Sequence, residues 1–392
     1  MSDHRISLIL PLKREKKESI QTTLDSLERV YNRSRFSRVY VVYPEKDLIT
    51  KRSLLEILRE RRYSFDIEII ESSNSRGLKA SDLNHVINEY IGDEDIVGIF
   101  DADDHVDPEI INIVTRALER GYAAVSPRVY RYRLSFFGRL VFAETILWYD
   151  LWLRILEKLD LHTPLSGEGL FFKADVVKRL GGFPEELAED AALSILLAMN
   201  NHRYGYIDSY VIELAPRSLS ALIKQRIRWY KGHLRILVRI LRASISKRVL
   251  ARILSTYSII LIPSITYLAP VGLEVYVYLS RADSSKNQLI NLFSIEYLSS
   301  VLDIVTHPDK IFRDADPVRS LIAVLLYIYM AQVVFLIYRV LRFHRSIIGL
   351  RESIKTLVVS ILALPLYWFI LAIAFLVSMI PRRVEWYRTD RR

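Results

Sequence analysis

The 392-residue chain contains no cysteine, which excludes disulfides, thiolate catalysis and cysteine-ligated metals and suits a reducing or hot environment. Nor does its opening read as an apolar leader, since Met1-Ser2-Asp3-His4-Arg5 runs straight into the strand-like Ile6 to Pro11. No signal peptide is expected, and residues 1–240 are expected in the cytoplasm. A glycine-rich triphosphate loop is missing as well, which counts against nucleotidyl transfer from a nucleoside triphosphate. Acid is in deficit: 55 Lys and Arg face 45 Asp and Glu, for a net charge of +10. Much of that surplus lies beside or between apolar segments, which favours anionic lipid headgroups over nucleic acid as the partner.

Hydrophobic residues make up 51% of the chain, high for a wholly soluble protein. They concentrate late, in Ser255 to Leu279, Leu321 to Leu341 and Thr356 to Ile380, each near the roughly 20 residues that cross a bilayer. About three transmembrane helices are expected in residues 250–392, the first kinked by Pro263 and Pro270. Arg342, Arg345, Arg351 and Lys355 against one Glu352 mark the stretch between the last two spans as cytoplasmic, whereas acids outnumber bases in Arg281 to Arg319. Three spans place the C-terminus outside, and the basic tail of Arg382, Arg383, Arg388, Arg391 and Arg392 pulls against that placement. A multi-pass cell-membrane protein with a cytoplasmic domain is the expectation.

Before residue 222 the pattern alternates short apolar runs with amphipathic stretches, as in a sheet wound with helices. Ile6 to Leu10, Arg38 to Tyr43, Asp66 to Ile70, Asp95 to Phe100 and Ala123 to Val129 read as strands, and Ser19 to Tyr31 and Lys51 to Arg62 as helices. Such sheets bind ligands at the carboxyl ends of their strands, where Asp101-Ala102-Asp103-Asp104 falls. Paired carboxylates there can share Mg²⁺ or Mn²⁺ and neutralise a diphosphate leaving group; equally, Asp residues cap ordinary turns. His105 beside them reads as a polar loop residue.

Further on, Gly181-Gly182-Phe183-Pro184 leads to Glu189-Asp190. A desolvated carboxylate at that helix start can act as a general base, although acids also favour helix N-termini through the dipole. In Gln225-Arg226-Ile227-Arg228-Trp229, helical spacing puts an amide, a guanidinium and an indole on one face, fit to grip a pyrophosphate and stack a sugar. Residues 223–249 read as an amphipathic interface helix, with Ile223, Ile227, Tyr230, Leu234, Leu237 and Leu241 opposite Lys231, Arg235, Arg239 and Arg242. Phe136 to Leu156 reads either as a second interfacial helix or as a buried one. Gly167-Glu168-Gly169 reads as a tight turn before a strand at Leu170 to Lys173, with an acceptor-side loop as the other reading.

With Pro11-Leu12-Lys13-Arg14-Glu15 and Lys79-Ala80-Ser81-Asp82-Leu83-Asn84 added, residues 5–245 resemble the inverting family 2 glycosyltransferases of the cellulose synthase and hyaluronan synthase branch. That resemblance implies an α/β GT-A domain binding a nucleoside diphosphate sugar with Mn²⁺ or Mg²⁺. It assigns Asp103 to the metal, Asp101 to the nucleotide sugar, Asp190 to the base, and Pro11, Glu15 and Lys79 to the nucleotide pocket. Glu189, Gln225, Arg228 and Trp229 fall to the diphosphate and acceptor side.

Two departures from the family shape the expectation. Where relatives end the second strand in paired aspartates, this chain has Tyr43-Pro44-Glu45-Lys46-Asp47, so Glu45 or Asp47 substitutes in base recognition and a guanine nucleotide becomes admissible. The spans are also too few for a complete polymer tunnel, and a lipid-linked acceptor in a partial groove fits better. The resulting expectation is transfer of a hexose, mannose from GDP-mannose, to a polyprenyl-phosphate-type or lipid-linked sugar acceptor. The alternative is a UDP-sugar-dependent processive polysaccharide synthase, and a non-catalytic scaffold is the reading from another class.

Overall fold

The computed structural model describes residues 5–73, 78–93, 95–259 and 317–380, with side chains of the last segment from residue 327. The strands are β1 (Ile6–Pro11), β2 (Arg38–Pro44), β3 (Asp66–Ser72), β4 (Ile96–Ile99), β5 (His105–Val106), β6 (Ala124–Tyr132), β7 (Leu170–Lys173) and β8 (Tyr204–Leu214). They form a single sheet in the order β3-β2-β1-β4-β7-β6-β8-β5. β1 to β4 run parallel, β7 is antiparallel to β4 and β6, and β6 runs parallel to β8.

The physical cause lies in β1, where Leu8, Ile9 and Leu10 are all fully buried. A parallel strand covered on both faces needs a continuous apolar run rather than alternation. Leu8 and Leu10 face one core with Val39, Val41 and Leu24; Ile9 faces the other with Tyr40, Val42 and Leu83. Burying each such side chain contributes about 1.5–3 kcal/mol. The helices α1 (Lys17–Arg33), α2 (Leu48–Glu60), α3 (Lys79–Glu89) and α4 (Ile110–Glu119) cover these faces.

Phe136 to Leu156 resolves as a buried helix. α5 (Phe136–Ile146) runs through one π-helical stretch, Leu147–Trp152, into α6 (Leu153–Lys158). Leu140, Val141, Phe142, Ile146 and Leu147 are buried, and Asp150 accepts a 2.8 Å hydrogen bond from Tyr130 of β6. α7 (Ala174–Arg179) follows β7, and α8 (Glu189–Met199) begins at the acidic pair.

The interface helix needs correcting in its bounds and its faces. α9 spans Leu219–Arg242, and residues 247–259 form a separate helix. Its buried side is Leu222, Gln225, Arg226, Gly232, Ile236 and Ile240. A Cβ on Gly232 would stand 3.0 Å from Ala188 Cβ, so α9 lies tight against the turn before α8. Lys231, expected on the solvated face, is buried and donates to the Ile380 carbonyl at 3.0 Å, while Leu241 of the apolar stripe is exposed.

The chain divides into two compact units, Met1–Tyr257 with Ala374–Arg392, and Ser258–Ile373. Within the second, helix Pro317–Arg339 continues through Val340–His344 and Arg345–Ile348 to a break at Gly349, where φ is 77°. Helix Leu350–Ser378 starts there, so the basic stretch expected as a loop is mostly helical. Among the described residues one helix, Leu350–Ser378, is long and apolar enough to cross a membrane. The expected span at 255–279, with Pro263 and Pro270, lies almost wholly outside the described residues, as do most of 281–319 and the basic tail.

Candidate active site

The strand ends and the loops that follow them carry the site. Pro11 closes β1, and the loop after it is clamped to α2. Glu15 N–H donates to Thr50 Oγ1 at 2.9 Å, and Ser53 Oγ donates to the Glu15 carbonyl at 3.0 Å. Asp47 caps α2 by accepting from Thr50 N at 3.1 Å and Thr50 Oγ1 at 2.7 Å, and it also accepts from Arg14 N–H. Of the two acids proposed for base recognition, Asp47 is therefore committed to the backbone, whereas Glu45 extends into solvent past β2.

At the end of β4 the turn and acid-site readings coexist. Asp104 is fully buried and its Oδ2 accepts from Asp101 N–H at 2.8 Å; burial and the nearby Asp101 push its carboxyl well above the ordinary aspartate value. α1 grips the same turn: Thr23 Oγ1 donates to the Asp101 carbonyl at 2.9 Å, and Asp103 N–H donates to the Ser19 carbonyl at 3.0 Å. Asp103 sits at φ 72°, a left-handed conformation that Asp tolerates better than most residues. Capping by Asp104 thus fixes the turn that presents Asp101 and Asp103. His105 is exposed in β5, opposite Ile212.

Lys79 opens α3 and brings the acids together. Its Nζ lies 2.6 Å from Asp101 Oδ1 and 3.8 Å from Glu189 Oε1. Burial works against its charge, but Asp101, Glu189 and Glu168 outweigh that and raise its pKa. Beside it, Asp190 Oδ1 accepts from Ala191 N–H at 2.8 Å, and the Gly167 backbone also donates to this carboxylate. A Cβ on Gly167 would stand 3.3 Å from Asp190 Oδ2 and 3.4 Å from Lys79 Nζ, so this position suits glycine.

Burial, then the Glu168 charge, raises Asp190 to about 6. Burial also raises Glu189 to about 7, with Lys79 opposing and Asp190 reinforcing the shift. A desolvated carboxylate in that range is suited to proton abstraction near neutral pH.

α9 supplies the third side. Gln225 is fully buried, and Arg228 and Trp229 are half-buried. The Trp229 ring has two cationic neighbours, with Arg226 Cζ 4.3 Å and Arg131 Cζ 4.9 Å from its centroid. Arg226 pairs with Glu144 of α5. Arg131, itself 5% exposed, pairs with Glu168 at 2.8 Å and with Glu213 of β8. The indole is thus tied into a charge network in addition to any sugar it meets.

Sequence reasoning left Glu168 open, picked out Asn84 within the Lys79–Asn84 stretch without a role for it, and missed Arg131 and Glu213. Asn84 clasps the loop before α8: its Nδ2 donates to the Phe183 carbonyl at 2.8 Å, and its Oδ1 accepts from Phe183 N–H at 2.7 Å. The glycines flanking Glu168 were the available signal for that residue; Arg131 and Glu213 meet only through the β6–β8 register. Among the described residues no three His, Asp or Glu side chains form a standing metal cluster.

A largely parallel wound sheet with this acid cluster at its carboxyl edge defines a GT-A-type glycosyltransferase domain. The model of the family described as "Glycosyltransferase like family 2" matches residues 4–232, and the protein belongs to that family. A poly-beta-1,6-N-acetyl-D-glucosamine synthase of Staphylococcus epidermidis is 25% identical over 233 residues, covering 57% of this chain and 53% of its own. The chain thus matches about half the length of that curated relative. The fold also resembles a solved Pyrobaculum calidifontis structure, "Mannosyltransferase PcManGT … in complex with GDP-Man and Mn2+". That likeness has a TM-score of 0.56 and 21% identity, over 81% of this chain and 85% of the other.

Proposed function

We propose that the protein is a membrane-bound, metal-dependent, inverting hexosyltransferase using a nucleoside diphosphate sugar, with GDP-mannose as donor and a polyprenyl-phosphate-type or lipid-linked sugar acceptor. The observation that carries this reading is the Lys79–Asp101–Glu189 contact set next to a half-buried Asp190. It joins donor-side and acceptor-side acids through one lysine. In this reading Asp190 takes the proton from the attacking acceptor group as that oxygen displaces the diphosphate from the anomeric carbon, inverting it. Pro11, Glu15, Glu45 and Lys79 border the nucleotide, Asp101 meets the sugar nucleotide, and Glu189, Gln225, Arg228 and Trp229 serve the diphosphate and acceptor.

Asp103 fits a metal recruited together with the donor. Its carboxylate is a hard oxygen ligand on a fixed turn, and Mg²⁺ or Mn²⁺ commonly binds through one or two carboxylates plus phosphate oxygens. The bound ion would neutralise charge on the departing diphosphate. The GDP-Man and Mn²⁺ held by the Pyrobaculum protein, and the missing aspartate at the end of β2, support the donor choice. Helix Leu350–Ser378, with Arg351 and Lys355 near its start, supports a membrane location; several passes and a cytoplasmic catalytic domain complete the reading. The division proposed is a catalytic domain at 1–222, an interface helix within 223–249 and a membrane domain at 250–392.

The Staphylococcus relative favours a second reading, a UDP-sugar-dependent processive synthase. Thermal stabilisation of the detergent-purified protein by GDP, UDP, GDP-mannose and UDP-glucose, with and without Mn²⁺, separates the two. A Mn²⁺-dependent shift with the guanine compounds supports the first reading, and one with the uridine compounds the second. No shift with any of them refutes the transferase assignment.

A further inference from the structure

Three consecutive residues of α9 join two neighbours that the roles above leave unconnected. Tyr230 meets Phe375 edge to face, with ring centroids 5.5 Å apart. Lys231 Nζ donates to the Ile380 carbonyl at 3.0 Å. Gly232 lies against the turn before α8, where a Cβ would stand 3.0 Å from Ala188 Cβ and 3.3 Å from Ala188 N. Residues 374–380, the end of the apolar helix and the turn after it, belong to the same compact unit as α9. Successive side chains on a helix point about 100° apart, so the three reach different sides, and Trp229 comes directly before them.

Lys231 is the informative member. α9 buries this lysine to 8% exposure and leaves Leu241 57% exposed, the reverse of what apolarity alone selects. An ammonium taken out of water needs hydrogen-bond partners, and the last carbonyls of a helix have no donors within it. The helix closes in tightened turns, with Met379 N–H donating to the Leu376 carbonyl at 3.1 Å and Ile380 N–H to the Val377 carbonyl at 3.2 Å. Lys231 adds a donor and a positive charge just past them, where the helix dipole favours a cation. Phe375 is buried, so its contact with Tyr230 closes the apolar part of the same junction.

We propose that Lys231 is a positioning residue that ties the end of helix Leu350–Ser378 to α9, so that an acceptor anchored in the bilayer meets Trp229 and Asp190 at a fixed distance from it. This rests on the membrane-bound transferase reading above and adds to it the residue that matches the catalytic helix to the membrane helix. The polar end of an anchored acceptor reaches only as far as its own bonds allow, and a misplacement of an angstrom can cost on the order of 100-fold in rate. A short, freely diffusing acceptor has no such tether and finds the site wherever the site lies. Loss of the junction is felt by the first kind of acceptor and not by the second.

The test uses the full chain in phosphatidylcholine–phosphatidylglycerol vesicles with Mn²⁺ and whichever donor stabilises it. Transfer is measured to undecaprenyl acceptors held in the vesicles and to geranyl acceptors in solution, each supplied as the phosphate and as the mannosyl phosphate. In Lys231→Met, kcat to the undecaprenyl acceptor should fall ~10-fold or more. Transfer to its geranyl counterpart should stay within ~2-fold, and donor-induced stabilisation should be unchanged. Lys231→Arg keeps a charged donor and should restore transfer to the undecaprenyl acceptor. Phe375→Ala removes the uncharged edge of the junction and should lower the undecaprenyl-to-geranyl ratio ~3-fold.

Equal loss with both acceptors overturns the positioning role, and so does a Lys231→Arg variant as slow as Lys231→Met. An unchanged ratio in Lys231→Met and Phe375→Ala overturns it as well; if Lys231→Met does not fold, Phe375→Ala decides by the same ratio. Wild-type transfer to no polyprenyl acceptor, with donor stabilisation intact, removes the lipid-acceptor reading and this proposal with it. Absent stabilisation by any nucleotide would instead remove the transferase reading itself.

Discussion

Asn84→Ala should cripple turnover while leaving donor binding nearly untouched. The side chain lies on α3, just over one turn beyond Lys79, yet among the described residues it bonds the two backbone groups of Phe183. Those bonds hold the Gly181–Pro184 loop that leads to Glu189 and Asp190. Each is worth about 1 kcal/mol net, and stranding the Phe183 N–H adds a penalty of about 1–3 kcal/mol. The loop should therefore lose about 3–5 kcal/mol of local stability. A shift of an angstrom in a reacting group can cost on the order of 100-fold in rate, so kcat should fall ~10- to 100-fold. Donor Kd, read by thermal shift or calorimetry, should stay within ~2-fold.

Gly182 supplies an internal check on the same clasp. It has φ +86°, and a Cβ there would stand 2.5 Å from Asn84 Oδ1. Gly182→Ala should reproduce the loss, combining left-handed strain of about 1–2 kcal/mol with the clash. In the double variant Asn84→Ala removes the atom that is struck, so the two costs should be less than additive. Wild-type kcat in Asn84→Ala, or full additivity in the pair, would refute the view that this clasp positions the base.

Other expectations concern protons, metal and the indole. His162 and His233 are held neutral by burial, at about 3 and about 4, with His233 and Arg252 adding to the shift at His162. Each folded value lies below the unfolded one near 6.5, so the unfolded chain binds more protons in acid. Their contribution to stability should be complete above pH ~6.5 and decline as pH falls toward the folded values; melting temperatures from pH 7.5 to 5 would show it, and a flat profile would contradict it. Chelation by EDTA should abolish donor-induced stabilisation, and Asp103→Ala should mimic chelation without lowering the ligand-free melting point by more than a few degrees. Trp229→Ala should depress acceptor use more than donor affinity, and should lower the melting point too, because two guanidiniums lose a ring contact worth about 0.5–2 kcal/mol each. Equal loss of donor and acceptor binding would mark the ring as purely structural.

Much of the sheet was legible because parallel strands covered on both faces spell themselves as apolar runs. β1, β2, β4 and β6 lie where those runs predict them, and the edge strand β3 and the antiparallel β7 also fall where strands were expected. β8 escaped notice because Tyr204–Leu214 alternates buried and half-buried positions through tyrosines and polar residues, with no apolar run to mark it. α9 misled for a different reason. It carries a partly exposed apolar stripe at Ile223, Ile227 and Leu234, whereas the side it buries includes Gln225, Arg226 and Gly232. A pattern that scores apolarity finds the first face; the second is fixed by close approach to Ala188 and by ion pairing.

That difference also explains which parts of the site were readable. Asp101, Asp103, Glu189, Asp190 and Gln225–Trp229 fall in local clusters whose spacing survives in the linear chain. Arg131 and Glu213 do not: each shares its strand with one other charge, Arg128 or Asp208, and nothing in the local spacing says which of them meet. Arg131 lies on the same face of β6 as Val129. It is buried because further layers cover that part of the sheet, and the parallel pairing of Arg131 with Glu213 sets acid beside base. An unpaired charge there would be costly, since a buried ion that loses its partner costs about 3–5 kcal/mol. The parts of the network with no local signature are thus the parts in which each residue depends on the others, and neither Arg131 nor Glu213 can be changed alone at low cost.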